Sequence, residues 1–149
     1  MYDISVGYVP QRMALIARRR ATTETAATVI PAAFAEVLAH IESGAACGAE
    51  ETIAIFPPDF AEPGEHEVAV AVVIADGGPG PGIELDELPA CQVVRAIHRG
   101  PYETTSEGWQ AIAEWMDERD LDPAGGCWEV YRTGPDEDEP VTELQCPLP

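Results

Sequence analysis

The chain has 149 residues, 46% of them apolar, with 27 acidic side chains against 8 basic ones and a net charge of −19. That length suits one domain with a sizeable core, and the apolar fraction excludes a disordered chain. All the basic residues are arginines, and a surface this acidic repels phosphate backbones, so no direct nucleic-acid binding is expected.

The N-terminal segment "MYDISVGYVPQR" lacks the basic-then-apolar layout of a signal peptide. No apolar run reaches the roughly 18 residues a membrane span requires. A cytoplasmic protein without a membrane partner is therefore expected. "VPQRMALIARR" alternates as a strand does. The triplet at 18–20 is the one basic cluster and reads as a solvated strand end or loop. A helix follows over "TVIPAAFAEVLAHIES", with Phe34, Val37, Leu38 and Ile41 as its apolar stripe and Gly44 at the C-cap. Next come the strand "ETIAIF", a turn at "PPDF" and the strand "HEVAVAVVIA". The stretch "ADGGPGPGIELDELPA", residues 75–90, is rich in Gly, Pro and acid and reads as a linker or long turn.

Beyond it the same order returns. "CQVVRAIHRG" is a strand, and "TTSEGWQAIAEWMDER" a helix with Ser106 or the threonines before it as N-cap and Trp109, Ile112, Ala113 and Met116 as its stripe. "DPAGG" breaks that helix, "CWEVYR" is a strand, "TGPDEDE" a turn, and "PVTELQCPL" the last strand. The two halves align without a gap, Ile41 on Met116 and Phe56 on Tyr131, which sets Glu129 opposite Ala54. The expected fold is thus α+β: two pseudo-symmetric βαββ repeats forming one antiparallel sheet, with the helices on one face and a central ligand pocket near the internal two-fold. The chain 1–149 is read as a single domain, with repeat 1 over about 1–75, a linker over about 76–87 and repeat 2 over about 88–149.

Four cysteines (Cys47, Cys91, Cys127, Cys146) and three histidines (His40, His66, His98) lie far apart in the sequence, without metal-ligand spacing. No metal and no cofactor are expected, and the cysteines read as small buried residues. The acid run at 135–140 reads as a solvated turn. The residue that stands out is Glu129, a carboxylate between Trp128 and Val130. Strand alternation groups Cys127, Glu129 and Tyr131 on one side and Trp128 and Val130 on the other. If Trp128 and Val130 pack under the helix, Glu129 and Tyr131 share the open face of the sheet. Two readings stand at this point: a solvated strand residue, or the charged floor of a pocket that takes a lipophilic cation. Tyr102, next to the Gly100–Pro101 break, either covers the helix end or leans over the sheet. Trp109 reads as core first and ligand contact second. Tyr8 and Phe60 sit in or beside loops and could line a pocket mouth.

Taken in order, the strand ending "HRGPY", a helix with tryptophan near its end, the Gly break, "WEVY" and the terminal "TEL" resemble the second half of a GyrI-like domain. The segment from "YVPQRMALIA" to "EVAVAVVI" resembles the first half more loosely. The resemblance implies two βαββ units around a ligand cavity and binding of hydrophobic small molecules, often cationic or planar and aromatic. It carries the acidic contact to Glu129 and the aromatic lining to Tyr131 and Tyr102; Phe56, Tyr8 and Trp109 join them as candidate ligand contacts from their positions in the sequence. It implies two alternatives. One is a hydrolase that opens cyclopropane-containing genotoxins, with Glu129 as base and Tyr102 or another tyrosine as proton donor. The other is a gyrase-interacting inhibitor. Regulators of this family carry DNA-binding helices that do not appear before Met1 or after Pro149, so direct transcriptional control is not expected. Binding is placed ahead of catalysis, and the natural ligand, oligomeric state and partner are left open.

Overall fold

A computed structural model of the chain describes residues 2–101, 104–132 and 139–149. In chain order the elements are β1 (Ile4–Val9), β2 (Arg12–Ala21), α1 (Ala26–His40), β3 (Ala46–Cys47), β4 (Glu51–Phe56), β5 (His66–Val73), β6 (Asp76–Gly77), β7 (Glu84–Leu88), β8 (Cys91–Arg99), α2 (Thr105–Glu118), β9 (Cys127–Tyr131) and β10 (Val141–Pro147). Every strand pairing found among them is antiparallel, and two helices complete the expected α+β class. The chain divides into two compact units, one of residues 11–89 and the other of residues 1–10 with 90–149.

In the unit of residues 11–89 the strands run in the order β4-β5-β2-β7. Residues 68–73 of β5 and 14–17 of β2 are all buried, which is why they read as continuous apolar runs rather than alternating ones. Helix α1 packs on these two strands. It buries Ile30, Ala33 and Val37, at i, i+3 and i+7, while Leu38 is exposed. The stripe therefore lies one position to the side of the one expected from Phe34, Val37, Leu38 and Ile41. The helix also begins before Pro31, which sits inside it. It closes through a wide turn over Ile41–Ala45, where Gly44 takes φ 94°, a left-handed conformation that glycine adopts at no steric cost. Two strands occupy the stretch expected as linker. β6 forms a ribbon with β3, and β7 pairs with β2 as an edge strand whose carboxylates discourage further pairing. The arginine triplet is spent within this unit. Arg18 meets Glu84 at 3.3 Å and Glu67 at 3.8 Å, Arg19 bonds Glu36, and Arg20 donates to the Glu65 carbonyl.

The other unit has the order β1-β8-β10-β9, with α2 packed on β8 and β10. Its core joins Val94, Ala96, Leu144 and Cys146 of the sheet to Ile112 and Met116 of α2. Gly108 completes the buried face of the helix. A Cβ at that position would fall 2.4 Å from Leu144 Cδ1, so glycine is what lets α2 approach the sheet this closely. Ala113, expected in the stripe, is exposed. Each unit thus contains one βαββ motif and one additional strand on its first strand. The additional strands are exchanged along the chain: β1 directly precedes β2 yet pairs with β8, and β7 directly precedes β8 yet pairs with β2.

Candidate functional site

The register of the β1-β8-β10-β9 sheet decides where Glu129 points. Leu144 pairs with Glu129 on one side and Ala96 on the other, and directly opposed residues share a face. Leu144 and Ala96 belong to the core beneath α2, so Glu129 faces the helix as well. The condition that would put Glu129 on the open face, Trp128 and Val130 packed under the helix, is not met. Alternation fixes which residues travel together, not which side the helix covers. Trp128 and Val130 are buried, as expected, but on the other face, in register with Gln145 and Glu143.

Glu129 is 8% exposed. Both of its oxygens are held by aromatic donors: the Trp109 indole Nε1–H donates to Oε2 at 2.9 Å, and the Tyr131 hydroxyl donates to Oε1 at 2.9 Å. Among the described residues no arginine or histidine pairs with it. A carboxylate out of water without a cation costs several kcal/mol, and two neutral donors offset part of that. The neighbouring Cys127 thiol is pushed up to about 11, first by burial and then by the nearby Cys146 and Glu129. The sequence therefore builds a desolvated negative site, flanked by an indole and a phenol, under the first turns of α2.

The next row of the sheet on this face was not expected to matter. Thr142 stands opposite both Tyr131 and His98. His98 is 3% exposed and bonded at both ring nitrogens. The Tyr2 hydroxyl lies 2.8 Å from Nδ1, and Nε2 lies 3.0 Å from the Pro101 carbonyl and 2.9 Å from Thr104 Oγ1. Since a carbonyl only accepts, Nε2 carries the proton and Nδ1 accepts from Tyr2. The Tyr2 hydroxyl pKa is raised by burial and by Glu107, which keeps it a donor. Thr104 is the N-cap residue of α2, but its hydroxyl donates to the Pro101 carbonyl at 2.9 Å rather than to the helix. Thr142 Oγ1 is buried and bonds no group among the described residues. The signal for His98 was available in its strand, where it falls in step with Val94 and Ala96.

Three further residues were expected at the site: Tyr8, Phe56 and Tyr102. Tyr8, 65% exposed, is on β1, four residues along from Ile4, which pairs with Ala96 in the row of Glu129. That is about 13 Å along the strand and three strands across, so the structure does not bring Tyr8 to the carboxylate. Phe56 belongs to the unit of residues 11–89, where its ring lies tilted against Phe60 at 5.0 Å, which in turn meets His66. Tyr102 lies outside the described residues. Among the described residues no group of three or more metal-ligating side chains occurs, and no helix is long and apolar enough to cross a membrane.

A family model described as GyrI-like small molecule binding domain matches residues 4–149. No curated relative matches the sequence. Among solved structures, the EcmrR C-terminal domain is similar with TM-score 0.82 and 20% identity over 100% of this chain and 98% of that one. In the EcmrR–DNA complex the match spans 57% of the EcmrR chain. SAV2435 bound to tetraphenylphosphonium is similar with TM-score 0.67 and 10% identity, over 99% of this chain and 94% of that one. A hydrolase from Listeria innocua, encoded by lin2189, is similar with TM-score 0.61 and 11% identity over 98% and 91%. At these identities the likenesses speak to the fold.

Proposed function

Because the chain belongs to the GyrI-like small-molecule-binding family, we propose that it binds lipophilic, cationic or planar aromatic small molecules, with Glu129 as the charge partner. One observation carries the reading: a carboxylate 8% exposed, satisfied only by neutral aromatic donors. A cation reaching Glu129 gains Coulomb energy in a medium that screens weakly, and the Trp109 and Tyr131 rings add cation–π contacts of about 0.5–2 kcal/mol each. An anion meets repulsion, both here and from the net charge of −19. That same charge disfavours direct nucleic-acid binding by this chain. A relative in the same fold, SAV2435, has been seen with tetraphenylphosphonium bound, which is a ligand of this chemical kind.

The test is a titration of a fluorescent lipophilic cation into the wild type and Glu129→Gln. The amide keeps the shape of the side chain and removes its charge; its oxygen accepts from the Trp109 indole, and its NH2 donates to a Tyr131 hydroxyl turned the other way. Affinity is expected to fall by about tenfold or more, the equivalent of one charged contact. Equal affinities would remove Glu129 from the site.

A second reading is favoured by the hydrogen bond from Tyr131 to Glu129, which places a proton donor beside a base. With a cyclopropane-bearing substrate, Glu129 would take a proton from water as it attacks, and a phenol would protonate the opening ring. Incubation with such a compound and a search for the ring-opened hydrate tests this reading. An unchanged substrate would leave binding alone.

A further inference from the structure

The face of the β1-β8-β10-β9 sheet turned away from α2 carries a groove of about 310 Å³ that the proposed function does not use. Asp3, Ser5, Arg95, Ile97 and Glu143 line it. Register explains their convergence: Ser5 and Gln145 both pair with Arg95, and Glu143 pairs with Ile97. Gln145 thus lies on the same face of the sheet, opposite Arg95.

Three features of these residues are unspent. Arg95 lies against the backbone of β1, where a Cβ on Gly7 would fall 2.7 Å from its Cζ, and among the described residues no hydrogen bond or ion pair engages its guanidinium. Gln145 is 1% exposed; its Nε2 donates to Glu143, and its Oε1 has no partner. Asp3 is exposed and joins no ion pair among the described residues. Glu143, 7% exposed, also receives Arg132 at 3.1 Å. Leaning toward Gly7 carries the Arg95 charge away from Asp3, which sits four residues back along β1. The groove is therefore cationic toward Gly7 and acceptor-rich at the other end, where Ile97, 38% exposed, shares the row of Glu143, with Ser5 in the row between.

A simple anion would meet Asp3 and Glu143 as well as Arg95, and a simple cation would meet Arg95. A ligand carrying both charges satisfies all of them. Gly7 and Asp3 are about 13 Å apart along an extended strand. Allowing about 3 Å for a contact at each end leaves roughly 7 Å between the ligand's charges. We propose that this groove is a second binding site, for a small extended zwitterion: its carboxylate on Arg95, its ammonium on the Asp3 and Glu143 carboxylates beside Ile97, and a short linker across Ser5.

The probe is 6-aminohexanoate, titrated into the full-length protein and followed by backbone amide NMR. Hexanoate and hexylammonium serve as the two half-ligands. The zwitterion is expected to shift the amides of Arg95, Ile97 and Gln145 and to bind about tenfold or more tightly than either half, since each half forfeits one charged contact. Arg95→Gln is expected to weaken 6-aminohexanoate by a similar factor. Ser5→Trp, at an exposed position on the terminal strand of this sheet, is expected to block it by filling the groove. The proposal is overturned if the zwitterion binds no better than the half-ligands, or if its binding survives both substitutions. Because Glu129 faces the opposite side of the sheet, these results do not depend on the cation-binding reading.

Discussion

Replacing Trp109 with phenylalanine removes the indole N–H from Glu129 while keeping an aromatic ring on α2. The lost bond is 2.9 Å long and ends on a carboxylate that is 8% exposed. Such a charge-assisted bond contributes about 1.5–3 kcal/mol net. Trimming a partly buried indole to a phenyl costs about 1 kcal/mol more in packing. Trp109→Phe is therefore expected to lower stability by roughly 2.5–4 kcal/mol, about 8–13 °C in midpoint for a chain of this size. The decisive form is a double-mutant cycle by urea denaturation, with Glu129→Met as the second background. Without the carboxylate only the packing loss remains, so the coupling is about 1.5–3 kcal/mol. An equal cost of Trp109→Phe in both backgrounds would refute the idea that the indole N–H compensates a buried charge.

Three further predictions concern the same unit. Gly108→Ala adds a Cβ 2.4 Å from Leu144 Cδ1, and Leu144 is fully buried; overpacking of about 1–3 kcal/mol should outweigh the helix-propensity gain of about 1 kcal/mol, read as a lower urea midpoint. Thr142→Val replaces a buried hydroxyl that has no partner and should leave stability unchanged or raise it by about 1 kcal/mol by the same assay; a loss would mean that the hydroxyl is satisfied by something else. The Cys127 thiol, raised to about 11 from its ordinary 9.0, keeps its proton in the folded state longer than in the unfolded state. Its contribution is fully present below pH 9 and is lost as pH rises toward 11. Allowing for partial solvent screening it is about 1–2 kcal/mol, and Cys127→Ala should flatten that alkaline limb in pH-dependent denaturation. At pH 8 the same shift should make Cys127 alkylate about a hundredfold more slowly than a thiol at its ordinary pKa, with exposed Cys47 reacting first.

Much of this structure was legible in the sequence because periodicity reports burial. β4, β5, β8, β9 and β10 lie where their apolar alternation or continuous apolar runs put them, and both helices follow their stripes to within a turn. β7 escaped notice because a charged edge strand carries little apolar pattern, and its "ELDEL" sits in a Gly- and Pro-rich neighbourhood. β1 alternates visibly, but its pairing with β8 is a long-range choice that no local window contains. At the site, the sequence singled out Glu129, Tyr131 and Trp109, and the structure joins those three by hydrogen bonds. It leaves open which side of β9 the helix covers, because Trp128 and Val130 also look like residues a helix would cover. It also passed over His98 and Glu143, whose burial depends on which neighbours strand pairing supplies.

In the proposed function the charge of Glu129, rather than the shape of its surroundings, selects the ligand. Calorimetric titration with tetraphenylphosphonium and with triphenylphosphine oxide, a neutral compound of similar bulk, tests it most directly when done on the wild type and on Glu129→Gln. The wild type is expected to prefer the cation by about tenfold or more, and the variant to show little preference. A preference of the same size in both proteins would contradict the claim.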